Sequence, residues 1–346
     1  MNINLVNLNR KRVVRGSMKT KFIGVAAFLV GSIMSFQSFA TPETDFDAYV
    51  QGLKQEAKEK GISESTINSA FKNVQFKPKA VVADNNQPEK KLTLDEYIPR
   101  AVPKWKVQQG KRLYHEYFDD LKRIGDAYGV QPRFIVALWG VESNFGRFTG
   151  NYNVVEALST LAFDGRREAL FRKQTMAALQ IIDEGHISAD NMKGSWAGAM
   201  GQAQFMPTSF LHYAADGNGD GKKDIWTTKE DVFASTANYL KTEGWDDKYT
   251  WGRQIHVPAG INPELQGRDE EKGKYLQEWS KIGITSLDGS PLPVLKEDIK
   301  AWLIMPDDEI GRSYLVYNNY NVLMHWNRSY YFAIAVSTLA DRIVQD

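Results

Sequence analysis

Phe134-Ile135-Val136-Ala137-Leu138-Trp139-Gly140-Val141-Glu142-Ser143 is an apolar run that ends in a carboxylate. Pro132, two residues ahead, suits the first turn of a helix, where its missing N–H has no partner to lose. The run therefore predicts a helix closing near Ser143. Counted at 3.6 residues per turn, Ile135, Leu138, Trp139 and Glu142 share one face. A glutamate on the stripe that faces the core is partly desolvated. Desolvation raises a carboxyl pKa, and a carboxyl still protonated near neutrality can serve as a general acid. Asn144, Gly146 and Arg147 follow at the helix exit, where the backbone can turn and a ligand can approach. The alternative at this point is a helix-terminal glutamate hydrogen-bonded to a neighbouring loop.

Outward from this run the pattern is mostly helical. A long helix is predicted over 106–128, stopped by Gly129, and others over 153–162, 166–184, 207–215, 228–243 and 329–344. In 41–78, Phe46, Tyr49, Val50 and Leu53 recur at helical spacing, and Ile62, Ile67 and Phe71 extend the stripe after Gly61. Pro88, Pro99 and Pro103 make 79–105 read as a linker or extended arm. Between 250 and 315, short candidate strands at 253–257, 300–304 and 313–317 alternate with Gly- and Pro-rich turns. The fold class is mainly α with a small β-containing insertion and an additional helical lobe. Its expected parts are 1–40, 41–105, 106–250, 251–315 and 316–346.

The chain of 346 residues has no cysteine, which excludes disulfide scaffolds, thiolate nucleophiles, zinc-thiolate fingers and iron–sulfur centres. Residues 1–40 carry six basic side chains and no acidic one. The remainder holds 37 basic against 42 acidic residues, a balance unsuited to nucleic acid. Residues 22–34 are apolar, and Ser38 and Ala40 occupy the −3 and −1 positions of a cleavage site before Thr41. This reads as a signal peptide cleaved near Ala40, with an uncleaved anchor as the alternative and Met18 as a second candidate start. With no cysteine to lipidate, the mature chain is expected to be soluble, extracytoplasmic and not a lipoprotein.

A second stretch, 194–207, packs three glycines and three alanines into fourteen residues and carries the amides Gln202 and Gln204. It suits a sugar-lined groove, where amides read hydroxyl and acetamido groups and Trp196 or Met200 offers apolar surface. Tight helix–loop packing is the alternative. A third, 216–227, follows the EF-hand register with Asp216, Asn218, Asp220, the Lys222 carbonyl and Asp224, and with Gly221 at position six. Position eight is Lys223, and position twelve is Thr227 rather than glutamate. Thr227 also begins a capping box with Glu230. The loop is a candidate structural calcium site, with Asp231 able to reach in, or an ion-free turn. The five histidines are scattered, and no Gly-x-Ser-x-Gly elbow or phosphate-binding loop is present.

Taken together, GVESNFGR (140–147), GSWAGAMGQAQFMPTSF (194–210) and YNNYNVLMHWNRSYYFAIAV (317–336) resemble, in order and spacing, the three signatures of the lytic murein transglycosylase B family, glycoside hydrolase family 103. The resemblance covers about residues 45–344. It implies a lysozyme-like catalytic core, peptidoglycan glycan strands as substrate, and a periplasmic location. Glu142 would be the single acid/base, Gln204 would position the sugar, Ser195 would bond near the reacting saccharide, and Tyr239 and Asn327 would complete the cleft. Trp326 and Phe332 stand where relatives carry tyrosines. Each loses a hydroxyl and keeps a stacking face.

In the reaction that the resemblance implies, the bond between N-acetylmuramic acid and N-acetylglucosamine is cleaved to a 1,6-anhydro end without a cofactor. Asp164, Asp183 and Glu184 are the nearest rivals for a second carboxylate. A hydrolase of the same bond and a non-catalytic wall-binding protein remain the competing readings. The expected protein is a monomer, with cell-wall synthesis proteins as candidate partners.

Overall fold

The computed structural model describes residues 42–86, 92–295, 299–308 and 311–345. The signal-peptide assignment at 1–40 lies outside the described residues. Among those described, no helix is long and apolar enough to cross a membrane.

Helix α1 (Pro42–Glu59) buries Phe46, Val50 and Leu53, as their spacing requires, and α2 (Glu64–Ala70) opens on the side-chain cap of Ser63. The predicted linker 79–105 is largely helical instead. Pro78 occupies the first turn of α3 (Pro78–Asn85), and a Thr93–Glu96 capping box opens α4 (Leu94–Ala101). Burial of Leu94 and Ile98 carries α4 through Pro99, whose lost N–H falls in its last turns.

The single helix expected over 106–128 is two helices, α5 (Lys104–Glu116) and α6 (Phe118–Tyr128), broken at Tyr117. The Tyr117 ring packs edge-on against Trp139 and Phe233, and the break lets both helices lie against the next one. Gly129, at φ 66°, ends α6 in the left-handed conformation, and Pro132 starts α7 (Pro132–Ser143).

Strand β1 (Tyr152–Asn153) leads into α8 (Val154–Phe163) and α9 (Glu168–Asp183), and pairs with β2 (Lys193–Gly194). Then come α10 (Pro207–Tyr213), α11 (Lys229–Thr242), β3 (Gly252–His256), β4 (Lys274–Tyr275), α12 (Leu276–Lys281), β5 (Thr285–Ser286), β6 (Lys300–Ile304), β7 (Ser313–Val316), α13 (Asn318–Trp326) and α14 (Tyr330–Val344). Helix α7 is buried on every side from Phe134 to Gly140, with α5, α6, α11 and α14 packed around it. A helix apolar all round has to be central.

The predicted small β-containing part is an antiparallel sheet ordered β4-β6-β7-β3-β5. Ala301, Leu303 and Leu315 face a local core with Trp279 and Leu276. Their strand neighbours Trp302, Ile304, Tyr314 and Val316 join the helical core. Alternation of side chains along β6 and β7 thus welds the sheet to the helices on one face and gives it a core of its own on the other.

Candidate active site

The chain reverses direction immediately after Glu142. Asn144 (φ 53°), Phe145 (φ 59°) and Gly146 (φ 80°) are all left-handed, a costly conformation for the two residues with side chains. The turn is held from several sides. The Ser143 hydroxyl accepts the Gly146 N–H at 2.9 Å and donates to the Trp139 carbonyl, and the Phe145 ring folds back edge-on against Trp139. A Cβ on Gly146 would stand 2.3 Å from Gln202 Oε1, so glycine is required there.

Glu142 is half-buried in the last turn of α7. The Trp326 indole N–H, from the end of α13, donates to its Oε1 at 2.6 Å. Burial pushes the Glu142 carboxyl up to about 7, even though the Trp326 hydrogen bond favours the ionised form and pulls the other way. At neutral pH the group is therefore poised between acid and base. Around Trp326 the rings of Phe205, Tyr239 and Tyr213 stack in succession, with Tyr239 centred 4.6 Å from Trp326 and 4.2 Å from Tyr213. Tyr239 is buried within this aromatic stack, and desolvation raises its hydroxyl far above the ordinary range.

The 194–205 segment lies against the turn that follows Glu142. Tyr152 pairs with Gly194, and a Cβ on Gly150 would sit 2.0 Å from the Gly194 carbonyl. The Ser195 hydroxyl oxygen accepts the N–H groups of Ala197 and Ala199, which closes its own turn. Gln204, at φ 52°, donates from Nε2 to the carbonyls of Thr149 and Gly201. Its carboxamide ties the helix exit to the glycine-rich loop, and its Oε1 has no partner among the described residues.

The two glutamines do not act as a pair. Gln202 is buried, takes the N–H of Trp139 and the ammonium of Lys229 on Oε1, and donates to the Trp226 carbonyl, so it is a structural tie rather than a sugar reader. Asn327 caps α13 beside Trp326 and is half-buried. Phe332 is buried within the main core, with little surface left to offer a ligand.

Tyr97 was missed in the sequence because 79–105 read as linker. It belongs to α4, and both desolvation and the Glu142 charge raise its hydroxyl pKa, which marks it as a neighbour of the acid. Its ring meets Tyr331 edge-on at 5.5 Å, and Tyr331 in turn donates to Asp307. The Thr93–Glu96 capping box was the available sequence signal for a helix there. The rival carboxylates have other occupations. Asp183 accepts from Ser63, Glu184 faces His186, and Asp164 caps α8.

The 216–227 loop forms without a converging carboxylate cage. Asp216 accepts backbone N–H groups from Gly219, Asp220 and Gly221. Asp220 accepts from Lys222, and Asp224 accepts from Trp226 and Thr227. Asp231, wholly buried, closes the loop by taking the N–H of Gly217 at 2.8 Å and of Asp224 at 2.6 Å. Among the described residues no group of three or more His, Asp or Glu side chains could hold a metal ion. Asp216, Asn218, Asp220 and Asp224 with the Lys222 carbonyl are the oxygens a structural calcium ion would use, and here the loop's carboxylates are engaged by backbone N–H groups. The loop does brace the glycine-rich segment, because the Ile225 carbonyl accepts the Gln202 N–H.

Comparison with known proteins agrees with this architecture. The family model described as transglycosylase SLT domain matches residues 45–341. The membrane-bound lytic murein transglycosylase B of Escherichia coli K12 is 34% identical over 251 residues, 71% of this chain and 66% of that protein. The structure of Pseudomonas aeruginosa SltB3 in complex with NAG-NAM-pentapeptide superposes with a TM-score of 0.84 at 38% identity, covering 87% of this chain and 80% of that one. Escherichia coli Slt35 in complex with calcium superposes with a TM-score of 0.73 at 26% identity, covering 87% and 93%.

The mainly helical, lysozyme-like fold is shared with solved lytic transglycosylases. The chain belongs to the transglycosylase SLT domain family. It spans 66% of the length of the curated relative it matches.

Proposed function

We propose that this chain is a lytic transglycosylase, cleaving the β-1,4 bond between N-acetylmuramic acid and N-acetylglucosamine in peptidoglycan with Glu142 as its single acid/base. The observation that carries this reading is the state of Glu142. Burial holds its pKa at about 7, and the only side chain hydrogen-bonded to it among the described residues is a donor, Trp326. Protonated Glu142 gives its proton to the leaving glycosidic oxygen as positive charge develops at the anomeric carbon, and the substrate's own acetamido oxygen shields that charge. Ionised Glu142, now stabilised by the Trp326 N–H, takes the proton of the C6 hydroxyl, which closes onto the anomeric carbon.

Two-carboxylate glycosidases need a base or nucleophile on the opposite face. Here the nucleophile is tethered to the same sugar, so its effective concentration is high and no water has to be activated. The aromatic wall of Phe205, Tyr239 and Trp326 supports this by keeping the groove dry. Gln204 offers Oε1 to a sugar hydroxyl, and Ser195 and Asn327 border the same groove.

The protein acts in the periplasm on glycan strands, as a monomer, after removal of residues 1–40. The chemistry uses no metal, and the 216–227 loop serves as a structural brace.

Digestion of purified sacculi tests the reading. Soluble muropeptides should carry 1,6-anhydro ends, one water lighter than hydrolytic ends. Products with reducing ends would make the protein a hydrolase, and binding without any release would make it a wall-binding protein.

A further inference from the structure

A cavity of about 590 Å³ lies between the small sheet and α4, separate from the Glu142 groove. Its chemistry differs from that of the groove. No Trp, Tyr or Phe lines it. Its walls are largely aliphatic, with Ile261, Met305 and the exposed Leu287 among them, and its polar side chains are Gln254, His256, Ser313 and the ion pair of Arg312 Nε with Asp95 Oδ1 at 2.7 Å. Sugars are gripped by aromatic faces, which are absent here. A cation and an anion side by side offer no net charge to a bare phosphate and favour a ligand carrying both a carboxylate and an amine. The guanidinium fork suits the carboxylate, and the aliphatic wall suits small methyl-bearing side chains.

The cavity is tied to the groove through α4. Asp95 and Tyr97 are two residues apart, about 200° around the helix. One meets the cavity while the other neighbours Glu142. The helix is thus the partition between the two sites, about 10–12 Å thick with its side chains. The Asp307 carboxylate clamps that partition by accepting the Leu94 N–H at 2.7 Å. An extended five-residue peptide spans up to ~17 Å, enough to pass from a muramic acid in the groove to the far side.

We infer that this cavity receives the peptide stem of the glycan substrate, with Arg312 binding a stem carboxylate and Asp95 an amine. The inference rests on the peptidoglycan reading above and names a part of the substrate that the groove does not hold.

The experiment compares wild type with Arg312→Ala and Arg312→Lys on two substrates: glycan fragments bearing peptides, and the same glycans stripped of peptide by an amidase. On peptide-bearing glycan, Arg312→Ala should raise KM about tenfold with kcat little changed, and Arg312→Lys should recover part of the loss. On stripped glycan the variants should match wild type, which also shows that they fold. Equal effects on both substrates, or none on either, would overturn the inference. If wild type releases no product from either substrate, the proposed activity fails instead. Calorimetry with free stem pentapeptide then decides the cavity alone: heat lost in Arg312→Ala upholds it, and no heat with wild type overturns it.

Discussion

The indole N–H of Trp326 donates to Oε1 of Glu142 across 2.6 Å, joining residues 184 positions apart in the chain. From the sequence, a tryptophan in place of the family's tyrosine was expected to keep a stacking face and lose a hydrogen bond. The structure corrects this, because the indole supplies a donor of its own. Indole is a donor only, so Oε1 of the neutral acid must present a lone pair to it. The carbonyl oxygen of a neutral acid is the better acceptor, so this contact favours the acidic proton on Oε2, the oxygen left for the glycosidic bond.

The pH profile follows from that contact. A general acid with a pKa of about 7 gives a kcat/KM that declines as pH rises through 7. Trp326→Phe removes a donor that favours the ionised form, so the Glu142 pKa should rise and the alkaline limb should move to higher pH. The ionised intermediate loses its partner at the same time, and kcat should fall about tenfold. Trp326→Tyr, which restores a hydroxyl donor, should recover much of both. An unmoved limb in Trp326→Phe would count against the contact.

Stability should carry the same signature. The folded pKa of Glu142 lies above its ordinary value of 4.5, so its favourable contribution is complete below pH 4.5 and fades as pH rises toward 7. Above 7 the fold holds a desolvated charge at a cost of about 3 kcal/mol. Glu142→Gln should therefore be more stable than wild type at pH 8, nearly equal to it at pH 5, and without turnover at either. Urea denaturation at the two pH values measures the difference.

Gly150 is the point where the turn after Glu142 presses on the 194–205 segment. Its φ is 90°, and the Gly194 carbonyl lies 2.0 Å from where an added methyl would stand, so Gly150→Ala cannot fit without separating the two. It should cost about 3 kcal/mol or more and weaken activity further by releasing Gln204 from the Thr149 carbonyl. A melting temperature within a degree of wild type would contradict this packing.

Asp231 satisfies two backbone amides inside the 216–231 region. Asp231→Ala leaves both without an acceptor and should lower stability by about 2 kcal/mol. Because that carboxylate holds the loop, a chelator or millimolar calcium should leave the wild-type melting temperature unchanged. A fall of several degrees on chelation would show that an ion shares the task.

Much of the helical scaffold could be read directly from the chain. The α7 stripe, the Gly129 stop and Pro132 start, and strand β6 at Lys300–Ile304 all depend on neighbours within four residues, where spacing and caps act locally. Glu142 stood out for the same reason, as a carboxylate on an apolar face. Tertiary structure decided what local rules cannot carry. Tyr117 breaks a continuous helical pattern because its ring is claimed by Trp139 and Phe233. Tyr97 lies within electrostatic range of the acid, in a segment whose prolines suggested a linker, because burial of Leu94 and Ile98 outweighs propensity. Gln202 and Gln204, two residues apart, part company because one points into the core and the other bridges two loops. The Trp326–Glu142 contact exists only once α13 is seated by the strand before it, since a hydrogen bond between distant residues depends on where folding puts them and not on their order in the chain.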